Sequence, residues 1–482
     1  MADVPVPGEE LTPGPAGTPS DIASAVPDVV LRLLETLWEH GHAAFVVGGS
    51  VRDVLMGRPA VDWDLATSAR PEETEALFPD TLYENAFGTV AVATDDPAVG
   101  EVEITTFRSD HDYADFRRPH HVEFTDSIVE DLARRDVTVN AIAWGAPGGG
   151  PGPGGVPFLV DPFEGQADIA ARVLRTVGDP RARFEEDALR MLRIVRFAAT
   201  LGFGVDAATL AGIRSRAGLA RHLSGERVAT ELAKILAAPV PSVGLRLLAD
   251  TGLLAVLSPE LGAQRGIPQN KIAGEDLWDH TMRAVDAAAT QPSYLRLAAL
   301  LHDIGKPATM ADGRFLGHDE VGAELAEAFL ERLRWPRHER DIVVHLIRHH
   351  MYGYLPTWSD AAVRRFIAKV GRDALDDLFL LREADNVGSG WGREESDLAE
   401  IRARVDRQLA RGVVLDLRDL AVDGDILMAE LDLRPSPELG ALLHALLERA
   451  VADPTINTRP RLLALARSLL ADPPTRPTRP TT

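Results

Sequence analysis

The sequence predicts an α+β protein: a small N-terminal head on a mixed sheet with helices, followed by a long, mostly α-helical body. Two observations predict this plan. Between 43 and 145, β-rich apolar runs (AAFVVGG, VDWDLAT, GTVAVAT, EVEITTF) alternate with short helical patterns. From about 166 onward strand signals nearly vanish. Apolar residues then recur at helical spacing in DALRMLRIVRFAATLG, RVATELAKILAA, LRLAALLHDIG, AELAEAFLERLRW and GALLHALLERAVA.

In chain order, residues 1–27 are rich in Pro, Gly and acid and read as a disordered tail. The head spans 28–165. Inside it, GAPGGGPGPGGVP (145–157) lies between AIAW and FLVDPF, which makes it a long hairpin loop and not a domain boundary. A helical neck follows over 166–240, a helical body over 241–390 and a last helical segment over 391–470. The end, 471–482, repeats the tail composition in DPPTRPTRPTT.

Composition narrows the chemistry. The 482 residues suffice for about three domains, and 45% hydrophobic with 26% charged residues is ordinary for a globular chain. There is no cysteine, so disulfides and thiolate metal sites are excluded and a transition-metal site must use His, Asp or Glu. The start lacks a basic region and an apolar core of the secretory kind, and no 18-residue apolar run spans a bilayer; a cytoplasmic protein with no membrane partner is expected. A net charge of −22 speaks against a surface coated in nucleic acid. It leaves room for a local basic groove, because salt confines fields to about 10 Å.

The head carries the first group of candidate residues. Asp62 and Asp64 stand two apart in VDWDLAT, so a strand turns both carboxylates to one face. Two such acids repel, and a hard divalent cation with a substrate phosphate relieves them; for this pair alone, a solvated strand edge is the commoner reading. Gly48 and Gly49 follow AAFVV and open a helix, where backbone N–H groups can approach a triphosphate. Arg52 on the first turn can add a charge-assisted bond to phosphate. Glu103, in EVEITTF, is either a third carboxylate or half of a salt bridge. In LARRDVTVNAIAW, Arg135, Asp136 and Asn140 can bond sugar hydroxyls and phosphate, or form an internal ion pair that braces the sheet. In EEDALRMLRIVRFAATLGF, Asp187 and Arg190 are i,i+3 neighbours on a helix, one offering acceptors and the other a fork of donors for a base edge. Arg193 and Arg196 continue that step, but the row spirals until Arg196 is nearly opposite Asp187; an ion-paired surface helix is the competing reading.

GGSVRDVLMGRPAVDWDLAT, DLARRDVTVNAIA, DPFEGQADIAARVLRTVGDP and EEDALRMLRIVRFAATLGF, in this order, closely resemble the class II tRNA nucleotidyltransferase and bacterial poly(A) polymerase family over roughly 40–240. The resemblance implies a nucleotidyltransferase palm in which Asp62 and Asp64 hold catalytic Mg²⁺. It implies that Gly49 and Arg52 contact the triphosphate and Arg135 with Asp136 the ribose. Asp187 and Arg190 then pair with the base of CTP or ATP, with Arg193 and Arg196 on the nucleotide's polar side. It makes 166–240 the base-reading neck and 107–124 (FRSDHDYADFRRPHHVEF) the flexible loop of CCA-adding enzymes, with tRNA, CTP and ATP as partners. Poly(A) polymerases and enzymes that add only CC or only A share the motifs.

The body carries a second group. Half of the 14 histidines lie between 280 and 350. His280 in WDHTMRAV and the adjacent His302 and Asp303 in LLHDIGKP resemble the HD superfamily of metal-dependent phosphohydrolases, whose pattern is completed here by Asp385 in LREADN. This implies a second divalent metal, to which His318, His349 and His350 could add ligands. The C-terminal helices (391–470) resemble the segment that contacts the tRNA elbow. CCA addition to tRNA is therefore the leading expectation. An HD phosphohydrolase with a nucleotide-binding head and a non-catalytic RNA-binding scaffold are the alternatives, and the intact Asp62/Asp64 pair speaks against both.

Overall fold

The computed structural model describes residues 19–79, 81–85, 88–113, 119–148, 156–269, 271–393 and 397–471. The chain divides into two units, Met1–Gly262 and Ala263–Thr482. Among the described residues no helix is long and apolar enough to cross a membrane.

The first unit opens with helix α1 (Pro19–Ala25) and helix α2 (Asp28–Glu39). Residues 19–25 belong to the stretch read from composition as tail. They are helical instead because Ile22 is fully buried, and Val26 just beyond them nearly so. On α2, Val30, Leu34 and Leu37 bury one stripe, and the Trp38 indole N–H donates to the Ala44 carbonyl at 3.0 Å. That bond ties α2 to strand β1 (Ala44–Val47), which leads into helix α3 (Gly49–Leu55). Strand β2 (Asp64–Thr67) and helix α4 (Pro71–Leu77) precede β3 (Thr81–Asn85), β4 (Thr89–Ala93) and β5 (Glu101–Thr106).

Two further strands, β6 (Arg108–Tyr113) and β7 (Pro119–Phe124), pair antiparallel with Arg108 opposite Phe124. This ribbon occupies the segment expected as a flexible loop; its tip, 114–118, lies outside the described residues. Helix α5 (Ile128–Ala133) then leads to β8 (Ala143–Ala146) and β9 (Phe158–Val160), which pair antiparallel as a hairpin. Of the segment read as a hairpin loop at 145–157, residues 145–146 belong to β8 and 149–155 lie outside the described residues. The seven-stranded mixed sheet has the order β3-β4-β5-β2-β1-β8-β9. Its centre, β2-β1-β8, is buried except at Asp64, as the apolar runs require.

Helices then take over: α6 (Gly165–Ala171), α7 (Pro180–Glu186), α8 (Leu189–Leu201), α9 (Ala207–Arg216) and α10 (Gly225–Leu236). Asp179 starts α7 by accepting from the Ala182 amide at 3.3 Å, with Pro180 in the first turn. Helices α11 (Pro241–Asp250), α12 (Leu253–Leu257) and α13 (Pro259–Gly262) close this unit, so residues 241–262, read with the body, fold with the head and neck. Gly244 allows the approach, since a Cβ there would stand 2.8 Å from Ile235 and 3.1 Å from Ala199.

The second unit is helical: α14 (Leu277–Ala287), α15 (Tyr294–Leu301), α16 (Lys306–Thr309), α17 (His318–Arg332), α18 (Arg337–His349), α19 (Asp360–Val370) and α20 (Leu375–Gly388). Four more follow: α21 (Leu398–Ala410), α22 (Gly424–Leu431), α23 (Pro437–Ala452) and α24 (Arg459–Ala471). The last helices share a core in which Leu427, Leu446, Leu462 and Ala466 are fully buried. The buried Arg364 of α19 ties into it by donating to the carbonyls of Val451 (2.6 Å) and Ala452 (2.7 Å).

Candidate functional site

The phosphate-facing turn comes from the register of the sheet. β1 and β2 are antiparallel with Val47 opposite Asp64, so the glycine pair leaving β1 stands at the strand end where the two aspartates arrive. Gly48 has φ +83°, which a β-carbon disfavours, and a Cβ there would meet the Arg135 guanidinium at 3.0 Å. Asp62 is exposed, Trp63 buried and Asp64 half-buried, the alternation expected of a strand entering the sheet. β2 and β5 are parallel with Leu65 opposite Ile104. Asp64 and Glu103 each precede that pair by one residue and so share a face of the sheet.

Burial pushes the Asp64 carboxyl above its ordinary range, the neighbouring Asp62 carboxylate adds to the rise, and Arg135 opposes it. A half-buried carboxyl whose charge is disfavoured, with a second carboxylate and a glycine turn beside it, fits a hard divalent cation. The residues present therefore suit the metal that the sequence implied.

The arginines are held by a polar lattice. Arg52, only 9% exposed, donates from its Nε (2.9 Å) and one terminal nitrogen (2.7 Å) to Asp53 and from the other to Asn140 Oδ1 at 2.7 Å. Arg135 lies 3.5 Å from Asp131 Oδ2. Asp136 accepts from Arg193 Nε at 2.6 Å and from the Val137 amide at 2.9 Å. Asp136 is the internal ion pair that the sequence left open, and Arg193 is its partner. Burial alone would raise the Asp136 carboxyl, but the Arg193 charge and hydrogen bond overcome it and hold it at about 2. Phe197 gathers three guanidiniums around its ring, with Arg196 at 4.2 Å, Arg193 at 5.5 Å and Arg52 at 5.8 Å from the centroid. A cavity of about 470 Å³ opens beside them, lined by Arg52, Arg196, Phe197 and Lys234.

The Asp136 pair yields a stability prediction. Asp136→Ala strands Arg193, and because that side chain is 37% exposed the cost falls at the low end for broken buried pairs, about 3 kcal/mol in urea unfolding. The folded carboxyl sits below its ordinary 3.8, at about 2. Its contribution is therefore complete above about pH 4 and is lost as the pH falls through 2. Acid titration of wild type against Asp136→Asn checks the sign.

At the next motif the structure corrects the sequence. Asp187 does not share a helix with Arg190: α7 ends at Glu186, Asp187 is extended (φ −141°, ψ 108°) and α8 begins at Leu189. The break is stabilised locally, since Asp187 Oδ1 accepts from the Leu189 amide at 3.0 Å. Counting a continuous spiral from Asp187 to Arg196 therefore does not apply. Asp187 Oδ2 accepts from Arg227 of α10 at 2.7 Å. Arg190 donates to Glu186 Oε2 at 2.7 Å and to the Arg134 carbonyl at 2.9 Å, which fixes its fork. Arg196 pairs with Glu231 at 3.2 Å. Arg227 and Glu231 were missed because they reach the motif from α10, and Glu186 because its bond to Arg190 spans the break; Phe197, on α8 itself, gave no signal beyond an apolar residue at helical spacing.

In the second unit four helices converge on Asp303. His280 Nε2 of α14 lies 3.3 Å from Asp303 Oδ2 and 3.3 Å from Asp385 Oδ1 of α20. His302 Nε2, just past α15, lies 3.2 Å from Asp303 Oδ2 and 3.8 Å from Asp385 Oδ1. All four expected residues are thus brought together. His280, His302 and Asp303 are each 1% exposed, and Lys306 stands 2.6 Å from Asp303 Oδ2. Gly305 is needed here, because a Cβ would overlap the His318 carbonyl and the Gly322 backbone of α17. His318 and His350 complete the cluster. His349 does not join it: one residue earlier on the chain, it stacks edge-on against His345 at 4.5 Å.

Comparison with known proteins follows the same division. Residues 44–175 match the poly(A) polymerase head domain family, 202–264 the probable RNA- and SrmB-binding site of polymerase A, and 274–407 the HD domain. A CCA-adding enzyme of Levilactobacillus brevis is 34% identical over 90% of this chain and 95% of its own. One from a Geobacillus strain is 46% identical, but the match covers 47% of this chain and spans only about half of that relative, 54%. In structure, the Bacillus stearothermophilus CCA-adding enzyme in complex with CTP aligns over 92% of this chain and 97% of its own, with TM-score 0.68 and 28% identity. A relative 34% identical over nine-tenths of this chain and nearly all of its own length shows the family, and the chain belongs to the family of CCA-adding enzymes.

Proposed function

We propose that this protein adds CCA to the 3′ end of tRNA, using CTP and ATP without a nucleic-acid template, in the cytoplasm. The observation that carries the reading is the meeting of Asp62 and Asp64 with the Gly48–Gly49 turn, in a chain related over 90% of its length to a CCA-adding enzyme. In the reaction the RNA 3′-hydroxyl oxygen bonds to the α-phosphorus of the nucleotide, the α–β bridging bond breaks, pyrophosphate leaves and the hydroxyl proton is released.

The residues divide the work. Asp62 and Asp64 would hold divalent cations, Mg²⁺ being the ion suited to oxygen donors, which activate the hydroxyl and neutralise charge developing on phosphate. The Gly48–Gly49 amides and Arg52 bind the triphosphate, and Asn140 orients Arg52 through its 2.7 Å bond. Arg135 serves the ribose, and Asp136 supports it there while keeping its bond to Arg193. Asp187 supplies acceptors and Arg190 donors to the base edge, while Arg193 and Arg196 line the polar side of the nucleotide. The C-terminal helices supply the tRNA contact.

Arg227 is a positioning residue for Asp187 in this scheme. It uses one lone pair of Oδ2 and leaves the other for the exocyclic amino group of cytosine or adenine. Arg227→Ala is expected to lower kcat/KM for both nucleotides by about 10- to 100-fold, the value of one charge-assisted bond, with partial recovery in Arg227→Lys. Unchanged kinetics would remove Arg227 from the site.

The function itself is tested with tRNA lacking its 3′ end. Labelled CTP should be incorporated only with a divalent cation present, with one pyrophosphate released per addition. No incorporation would overturn the reading.

A further inference from the structure

A cation in the neck stands without a partner. Lys234 lies in the last turn of α10, exposed, and among the described residues it makes no hydrogen bond or ion pair. It lines the same cavity of about 470 Å³ as Arg52 of α3 and Arg196 of α8. No carboxylate lines that cavity, and apart from Thr200 its remaining walls are apolar. The Thr200 hydroxyl donates to the Arg196 carbonyl at 3.0 Å, so its proton is not offered to the cavity.

The charges around Phe197 do not balance. Arg52 is paired with Asp53, Arg193 with Asp136 and Arg196 with Glu231, which leaves the Lys234 ammonium in surplus. Nor does its pair satisfy the Arg196 fork. Arg196 Nε lies 3.2 Å from Glu231 Oε2, but the two atoms are not aligned for a hydrogen bond, and both are buried without one. The terminal nitrogens of Arg196 bond nothing among the described residues, and the guanidinium lies over the Phe197 ring at 4.2 Å. Arg52 gives its Nε and one N–H of each terminal nitrogen to Asp53 and Asn140, and keeps a second N–H on each. Uncommitted donors of two guanidiniums and a free ammonium therefore border one cavity. Planar forks beside a flexible ammonium match the oxygens of a phosphate.

Which phosphate this is follows from the direction of the reaction. In an in-line displacement the attacking hydroxyl and the leaving pyrophosphate stand on opposite sides of the α-phosphorus. The α-phosphate belongs at Asp62 and Asp64, and Arg52, on the helix that the glycine turn opens, belongs to the leaving side. A cavity that shares Arg52 lies on that side too, away from the entering RNA.

We propose that this cavity is the subsite for the terminal phosphate of the incoming nucleoside triphosphate, held by Lys234 together with Arg196. The subsite rests on the reading of the head as a nucleotidyltransferase and assigns it a residue from α10. Once the bridging bond has broken, the same cations hold the pyrophosphate, so Lys234 also governs how readily that product leaves.

Titration calorimetry of the full chain with CTP and with CDP, in Mg²⁺, isolates the terminal phosphate. Wild type is expected to bind CTP more tightly than CDP. Lys234→Ala should weaken CTP about five- to tenfold, the value of one exposed charge-assisted bond, and leave CDP unchanged, with recovery in Lys234→Arg. Inhibition of incorporation by pyrophosphate should weaken in step, while KM for tRNA stays the same. The melting temperature should hold, because the side chain has no partner to lose. Equal affinity of wild type for the two nucleotides would overturn the subsite. So would a Lys234→Ala variant that binds both as wild type does, or binds both more weakly by the same factor. A raised KM for tRNA with unchanged affinity for CTP would also overturn it and give Lys234 to the RNA backbone. In each of these cases a wild type that incorporates CTP leaves the reading of the head standing, whereas a wild type that incorporates nothing overturns both.

Discussion

Asp64→Asn should abolish nucleotide incorporation while leaving the protein at least as stable as wild type. The loss of rate is expected to be about a thousandfold, the value of several kcal/mol of transition-state charge stabilisation. The stability half follows from the sign of the Asp64 shift. Its carboxyl is pushed up by burial and by Asp62, so the folded state disfavours the charge at neutral pH. Removing the charge removes that penalty, and in chelator the melting temperature should hold or rise. Asp62→Ala should show the same loss of rate. Thermal melts beside a gel assay of incorporation separate the two effects. A variant that melted lower and kept its activity would make Asp64 structural.

The second large effect lies at the helix break. Asp187→Ala should reduce discrimination by the base edge about 10- to 100-fold, so that incorrect nucleotides compete with CTP and ATP. The informative readout is the ratio of kcat/KM among the nucleotides, not the rate alone. Asp187 also holds Arg227 and the Leu189 amide, and both bonds are lost with it. Arg190→Ala should do the same from the donor side; it also leaves Glu186 unpaired. Equal loss for all nucleotides would assign both residues to scaffold.

The parts of the site that could be read in the sequence are those whose partners are close along the chain. Gly48 and Gly49 follow β1 directly, and Asp62 and Asp64 lie just before and at the start of the adjacent strand β2, so short-range spacing was enough to find them. The HD cluster was legible for a different reason: His280, the adjacent His302 and Asp303, and Asp385 follow the order of a known superfamily pattern. What could not be read depends on pairings across helices. Arg227 reaches Asp187 from 40 positions away, and Arg193 reaches Asp136 from 57. The break at Asp187 was hidden because Ala, Leu, Arg and Met around it all favour helix, while the decisive bond is a local one to the Leu189 amide. The choice of His350 over His349 needed the phase of α18 where it ends, which apolar spacing does not define to one residue. Helix α1 was misread because composition registered the prolines of the stretch around it and not the single buried Ile22.

The head is expected to act as a polymerase that stops after three additions. The most direct measurement sequences the products formed on tRNA that lacks its terminal CCA, with CTP alone, ATP alone and both together. Two cytidines are expected with CTP alone, no addition with ATP alone, and CCA with both. A lengthening run of adenosines with ATP alone would contradict it.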